Sequence, residues 1–96
     1  AIGGANAQTA LLAGLTAESS EVRIAALEGA RMFGGDFGCA PITSMLTDAD
    51  ANVRYYAVST AVSLGCLSPD QLAQIAREDS DAYVRLLAEK AAQDSA

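Results

Sequence analysis

The dipeptide Val-Arg occurs three times at a fixed spacing of 31 residues, and this spacing constrains the fold more than any other feature of the sequence. The copies are Val22-Arg23, Val53-Arg54 and Val84-Arg85. Alanines recur in the same register, at Ala26, Ala57 and Ala88 and again at Ala30, Ala61 and Ala92. A chain that repeats itself with a period of about 20 to 50 residues builds its core by stacking copies of one unit.

Each unit has the pattern of two helices joined by a tight turn. Alanine, in which the chain is rich, has the highest helix propensity. Ser19, Asp50 and Asp81 are N-cap residue types, and each precedes the second helix of a unit, helix B. Gly34 and Gly65 follow helix B as stop signals. The pattern predicts helix A over about 6–16, 40–47 and 69–78, and helix B over about 20–33, 51–64 and 82–93.

The register predicts a single domain, 1–96, with repeats over about 5–35, 36–66 and 67–96. Extended backward, it aligns Ile2 and Gly3 with the end of helix B in the later units, so residues 1–4 resemble the end of a preceding repeat. We expect a segment of a longer array; the alternative is a complete small protein that has lost its initiator methionine. Polar Asp94 and Ser95 at the other end are typical of a capping repeat.

The turns carry the pattern Asp-x-Asp-x-x-Val-Arg, as DADANVR at residues 48–54 and DSDAYVR at residues 79–85. This pattern resembles HEAT repeats, and the period resembles their short bacterial and archaeal class, which includes the repeats of phycobilisome bilin lyases. The first unit departs from it, because Ala17 and Ser19 replace both aspartates. The resemblance implies an all-α fold: a right-handed α-α superhelix, or α-solenoid, of three helix-turn-helix repeats and about six helices.

The resemblance also implies a ladder of hydrogen bonds between neighbouring units, made by the turn aspartate and the helix-B arginine. Arginine forms strong paired hydrogen bonds with a carboxylate, which suits this role. Ala17 in place of aspartate implies a looser first rung or a contact with a missing upstream unit. We expect a structural role for five residues: Arg23, Asp48, Arg54, Asp79 and Arg85.

Helix B lines the concave side of an α-solenoid, where partners usually bind. Helical periodicity predicts a core stripe through Val22, Ala26 and Phe33, and it places the apolar column Ile24–Tyr55–Leu86 on the opposite side, flanked in the first unit by Leu27. The predicted partner-binding face consists of Ile24, Arg31, Tyr55, Ser59, Val62, Leu86 and Lys90.

An exposed apolar strip often marks a contact site, but flanking units also bury a central helix. For Val58 and Val62 we therefore favour burial, and for Tyr55 burial and contact remain open. Tyr56 is predicted in the core, and Tyr83 at the surface or between repeats.

The net charge of −6 argues against binding to nucleic acid or to an anionic membrane surface. The turn edge of the array collects acidic residues, and a basic peptide is one candidate partner there. We favour the simpler interpretation, N-capping and solubility, because acids near a helix N-terminus complement the helix dipole. The acidic residues of the turn edge are Glu18, Glu21, Asp48, Asp50, Asp79 and Asp81.

The residues that most often perform catalysis or bind metal are scarce. The chain has no histidine, the commonest general base and metal ligand. Two cysteines without histidine do not complete a standard zinc site. We predict that the chain is not an enzyme and needs no cofactor or metal. Cys39 and Cys66 are expected to be free thiols in a cytoplasmic protein rather than a disulfide, because small secreted folds normally carry more cysteines.

The sequence therefore predicts a non-catalytic module that binds a protein or peptide on the concave helix-B face. One alternative, from the resemblance to lyase repeats, is an accessory role in bilin or tetrapyrrole handling, with Cys66 as the thiol to test. Another is a purely structural segment that extends a scaffold or forms a homodimer through its open N-terminal face.

Overall fold

The computed structural model describes residues 4–34 and 37–94 of the chain. Its helical segments are α1 (Gly4–Leu15), α2 (Ser20–Phe33), α3 (Ala40–Thr43), a 3-10 helix (Ser44–Thr47), α4 (Ala51–Ser63), α5 (Pro69–Glu78) and α6 (Ala82–Asp94). Within the described ranges the regular structure is entirely helical, with no strand. Each helix A packs on the helix B that follows it, and α4 packs between α2 and α6. This is the predicted α-solenoid of three helix pairs, and its helix ends lie within two residues of the predicted ones.

Two of the sequence predictions concern residues that the structure does not describe. The alignment of Ile2 and Gly3 with the end of a preceding repeat lies in the first three residues, and Ser95 lies beyond the last described one. The boundaries of the three units stay predictions. No helix within the described ranges is both long enough and apolar enough to cross a membrane.

The first helix of the second unit is the one irregular element. A continuous helix is predicted over 40–47, but the segment divides into the single turn α3 and the 3-10 helix. Pro41 lies in the first turn of α3 and cannot donate a backbone hydrogen bond. The hydroxyl of Ser44 donates to the Pro41 carbonyl at 2.7 Å, and that of Thr43 donates to the Ala40 carbonyl. Such bonds from side chain to backbone compete with regular helix geometry.

Aspartates begin the later helix-B segments as predicted, whereas the first begins without such a cap. Asp50 Oδ1 accepts the backbone N–H groups of Asn52 and Val53, and Asp81 Oδ2 accepts that of Val84. Ser19 has the extended backbone of an N-cap residue, but its side chain makes no capping hydrogen bond. The start of α2 therefore lacks the stabilisation that a capping side chain contributes, typically about 1 kcal/mol.

The core forms two clusters, one between the first and second units and one between the second and third. Leu27 on α2 and Val58 on α4 are fully buried, as are Ala57 on α4 and Ala88 on α6. Phe37, from the connection between the first two units, is also buried. Its ring packs edge-on against that of Phe33, with ring centroids 5.9 Å apart. This connection, the most irregular part of the sequence, therefore contributes an aromatic ring to the core.

Three burial predictions are wrong, and neighbouring units explain them. Val22 is 46% exposed although it was assigned to the core stripe, whereas its counterparts Val53 and Val84 are fully buried. Leu27, predicted near the outer side, is fully buried. Val62 is 39% exposed, although burial was favoured for it. Helix α4 packs on α2 with one side and on α6 with another, whereas α2 and α6 each pack on one neighbouring helix B, and the periodicity of a single helix does not resolve this difference.

Cys39 and Cys66 form a disulfide, so the prediction of free thiols is wrong. Their Cα atoms are 5.5 Å apart, within the usual range for a bridge. Cys39 precedes α3 and Cys66 follows α4, so the bridge joins the two ends of the second unit. Sequence spacing does not reveal this proximity, because it depends on α4 returning antiparallel to the segment before it.

Two ion pairs connect the turns of successive units. Arg54 Nε and Nη2 donate to the two carboxylate oxygens of Asp79, at 3.0 and 3.3 Å. Arg23 Nη2 donates to Asp48 Oδ1 at 3.2 Å. Its Nε lies 3.1 Å from Oδ2, but the N–H is not aligned for a hydrogen bond, so this pair is the weaker of the two.

The same side chains also hold the turn of their own unit. Arg54 Nη1 donates to the Asp48 and Ala49 carbonyls, and Arg85 Nη1 donates to the Asp79 carbonyl. In the first unit, Arg23 Nη1 donates to the Ala17 and Glu18 carbonyls. Each arginine therefore closes the turn that precedes it, and two of them also reach the next unit.

Removal of the disulfide should destabilise the fold. For a closed loop of this size, set by a separation of 27 residues, we expect the Cys39→Ser/Cys66→Ser variant to lose about 2–4 kcal/mol of unfolding free energy. Urea unfolding of the variant and the wild type, with and without dithiothreitol, measures this. Reductant should lower the wild type to the level of the variant and leave the variant unchanged. Two reactive thiols in the denatured, unreduced protein would contradict the disulfide.

Loss of the better-aligned pair, Arg54–Asp79, should also destabilise the fold, because the largely buried Asp79 carboxylate then lacks its charged partner. We expect Arg54→Ala to lower the free energy of unfolding by about 2–4 kcal/mol. Arg77→Ala is the matched control: Arg77 is exposed on α5, and its loss should change stability by at most about 0.5 kcal/mol. Equal losses in the two variants would show that the pair does not stabilise the array.

Candidate functional site

The candidate site is the solvent-facing surface of the three helix-B segments, α2, α4 and α6, which we call the B face. Helix α4 forms its central ridge, where Tyr55, Ser59 and Val62 follow one another at the spacing that places residues on one side of a helix. Because α4 packs between α2 and α6, this ridge has a groove on each side.

The first groove lies between α2 and α4 and has a mixed polar lining. Arg31 and Ser59, both predicted for the partner-binding face, line it together with Met32, which is almost fully exposed. The remaining lining residues are Glu28, Tyr56 and Thr60. One acid and one base occur together here, so the groove has no strong net charge.

The second groove lies between α4 and α6 and is the larger one, with a volume of about 590 Å³. Three residues predicted for the partner-binding face line it: Tyr55, Val62 and Lys90. Leu87 and Ala91 extend its apolar surface, and Asp94 lies at its edge. The combination of an apolar centre and charged side chains is the usual composition of a protein contact surface.

The two other predicted residues lie outside these grooves. Ile24 is half-buried and packs against the core of the first two units. Leu86 is 60% exposed on α6 but lines neither groove. The structure therefore places five of the seven predicted residues along two neighbouring grooves.

Sequence reasoning did not identify Thr60, a buried polar residue at this site. Its side chain is 1% exposed, and its hydroxyl donates to the Leu27 carbonyl at 3.3 Å, which joins α4 to α2 beneath the first groove. Thr60 occupies the same repeat position as Gly29 and Ala91, and this alignment was the available signal. Small residues at that position indicate close packing of the helices. A hydroxyl at such a position requires a partner, and the adjacent helix supplies it.

The acidic turn edge is largely committed to the fold. Asp48 and Asp79 each pair with an arginine and accept a backbone N–H of their own turn, and Asp50 and Asp81 cap helices. Of the six acids, Glu18 and Glu21 are exposed without such a role in the hydrogen bonds described. The geometry supports N-capping for this edge and gives a basic peptide little to bind there.

The disulfide also bears on the tetrapyrrole alternative. Because Cys66 is bonded to Cys39, it has no free thiol to attach a bilin. Within residues 4–34 and 37–94, no group of three or more histidine, cysteine, aspartate or glutamate side chains is placed to hold a metal ion.

Comparison with known proteins identifies the family. A family model described as HEAT repeats matches residues 8–93, nearly the whole chain. The chain belongs to the HEAT repeat family. Neither the curated proteins nor the solved structures gave a match. HEAT repeats are generally non-catalytic and mediate protein–protein interaction or scaffolding.

Proposed function

We propose that this HEAT repeat chain is a non-catalytic interaction module that binds a protein or peptide on its B face. The family supports the general role of protein binding. The choice of surface rests on where the exposed apolar side chains lie.

Exposed apolar side chains concentrate on helix B, and this observation carries the proposal. Among the residues whose side chains the structure describes, seven large apolar ones are exposed, and six belong to α2, α4 or α6: Val22, Met32, Tyr55, Val62, Tyr83 and Leu86. The seventh, Leu12, belongs to helix A of the first unit. Clustered exposed apolar side chains favour association, because contact with a partner removes them from water.

The opposite side of the array is less suited to a partner. A groove there, between the 3-10 helix and α5, contains two apolar residues, Leu46 and Ile75, which already pack against the core. Its other lining residues are polar or acidic: Thr47, Gln74, Glu78 and Asp79. A partner would bury less apolar surface in this groove than in the large groove between α4 and α6.

A homodimer through the first unit is the second candidate, and two residues favour it. Leu12 and Val22 are 39% and 46% exposed, and the counterparts of Val22 in the later units are fully buried by neighbouring helices. A second copy covering this end would bury them in the same way. Without Val22, five exposed large apolar residues remain on the described helix-B segments, against two at this end, and so we place the B face first.

The disulfide changes the expected compartment. The sequence predicts a cytoplasmic protein with free thiols, but disulfides persist mainly in oxidising compartments. The Cys39–Cys66 bond therefore favours such a compartment over the cytoplasm.

Two matched substitutions test the proposed surface. Val62 and Leu12 have the same exposed fraction, 39%, but Val62 lines the large groove of the B face and Leu12 lies on helix A. Peptides selected from a displayed random library would be titrated against the wild type, Val62→Glu and Leu12→Glu. We expect Val62→Glu to weaken binding by about tenfold or more and Leu12→Glu to change it less than about twofold, because a charge at a contact centre must be desolvated.

Circular dichroism and urea unfolding of both variants show whether each one is folded. Unchanged binding by folded Val62→Glu would contradict the B face as the binding surface. Loss of binding in Leu12→Glu alone would move the contact to the first unit. Sedimentation of the same variants tests the homodimer, which Leu12→Glu should disrupt.

A further inference from the structure

All three tyrosines of the chain converge on one cavity that neither B-face groove includes. The cavity, of about 290 Å³, lies between the first turns of α4 and α6. Its aromatic lining consists of Tyr55, Tyr56 and Tyr83, and Asp81 contributes a carboxylate. The chain has three tyrosines and no tryptophan, so this is where its strongest cation-attracting rings meet.

The tyrosine rings line adjacent sides of the cavity. Tyr55 and Tyr56 are consecutive on α4, and their rings meet edge to face, with centroids 5.7 Å apart and planes at 75°. Tyr83 comes from the next unit and is 73% exposed, which leaves its ring available to a ligand. The face of an aromatic ring carries negative electrostatic potential and attracts cations placed over it.

The charges at the cavity also favour a cation. Asp81 is the charged residue in its lining, and none of the chain's six basic residues lines it. Two helix N-termini lie nearby, and their dipoles alone would disfavour a cation. The carboxylates of Asp50 and Asp81 cap those two helices and offset this effect.

We propose that this cavity binds an arginine side chain presented by the protein partner. A guanidinium group suits it because it is planar, stacks on aromatic faces and hydrogen-bonds to a carboxylate. The polar side chain of Asn52 completes the lining with a further hydrogen-bonding group. This inference rests on the proposed function for the source of the arginine, but the recognition itself can be tested without a partner.

The tyrosines report on the cavity directly. All three tyrosines line the cavity, so their ring NMR signals respond to a ligand there. Tyr55 and Tyr56 also line the B-face grooves, so the ring signals of Tyr83 are the specific reporter. The oxidised 96-residue chain would be titrated at constant ionic strength with N-acetyl-arginine methylamide. The matched probe is the citrulline derivative, which has nearly the same shape but no charge, and the lysine derivative is the second comparison.

We expect saturable shifts of the tyrosine ring signals with the arginine probe and none with citrulline over the same range. Tyr83→Ala should weaken binding by about fivefold, whereas Tyr83→Phe, which keeps the ring, should stay within about twofold. Asp81→Asn removes the charge but keeps a good N-cap residue, and it should weaken binding by about threefold or more. Asp70→Asn changes the net charge equally at an exposed helix start outside the cavity and should have no effect.

Three results would overturn the inference: equal shifts with citrulline, equal loss in Asp70→Asn and Asp81→Asn, or full binding by Tyr83→Ala. Tighter binding of the lysine derivative would overturn the assignment to arginine. Val62 does not line this cavity, so the effect of Val62→Glu on peptide binding tests the proposed function separately.

Discussion

The pairing of a helix-B arginine with the turn aspartate of the next unit is the interaction on which the array depends. Asp79 shows how much one residue does: its carboxylate accepts Arg54 and a backbone N–H of its own turn, and its carbonyl accepts Arg85. The shape of one turn is thereby tied to the position of the preceding helix B. Since a solenoid unit contacts only its neighbours, such a link sets how each unit is placed on the last.

That placement decides which apolar residues reach the surface. Val22 is exposed while Val53 and Val84 are buried, although the three occupy the same position in their units. Similarly, Leu27 and Val58 are buried, and the third member of their column is the exposed Glu89. A side chain that packs on a neighbouring unit is removed from solvent. The apolar side chains exposed on the B face are therefore those that neither neighbour covers. Their exposure is what makes this face the candidate contact surface.

Much of the fold could be predicted because it depends on local signals. Val-Arg at intervals of 31 residues, the aspartate caps and the stop glycines predict the helices and their pairing, and the structure has them there. The candidate site was less predictable. Tyr55, Val62 and Lys90 were predicted on helical spacing and share a groove, but the spacing did not indicate that Tyr83 of the next unit closes a second cavity with Tyr55. That cavity depends on the offset between two units, which no residue within one unit specifies.

The sequence by itself determined the helix-turn-helix repeat, the family and the arginines and aspartates that hold the turns, since each depends on residues close together in one unit and its copies. Tertiary structure decided the rest. The Cys39–Cys66 disulfide exists because α4 runs back alongside the segment that precedes it, which brings together two residues 27 positions apart. Val62 is exposed and Leu27 buried because the packing of neighbouring helices, and not the periodicity of either helix, determines which side of each is covered.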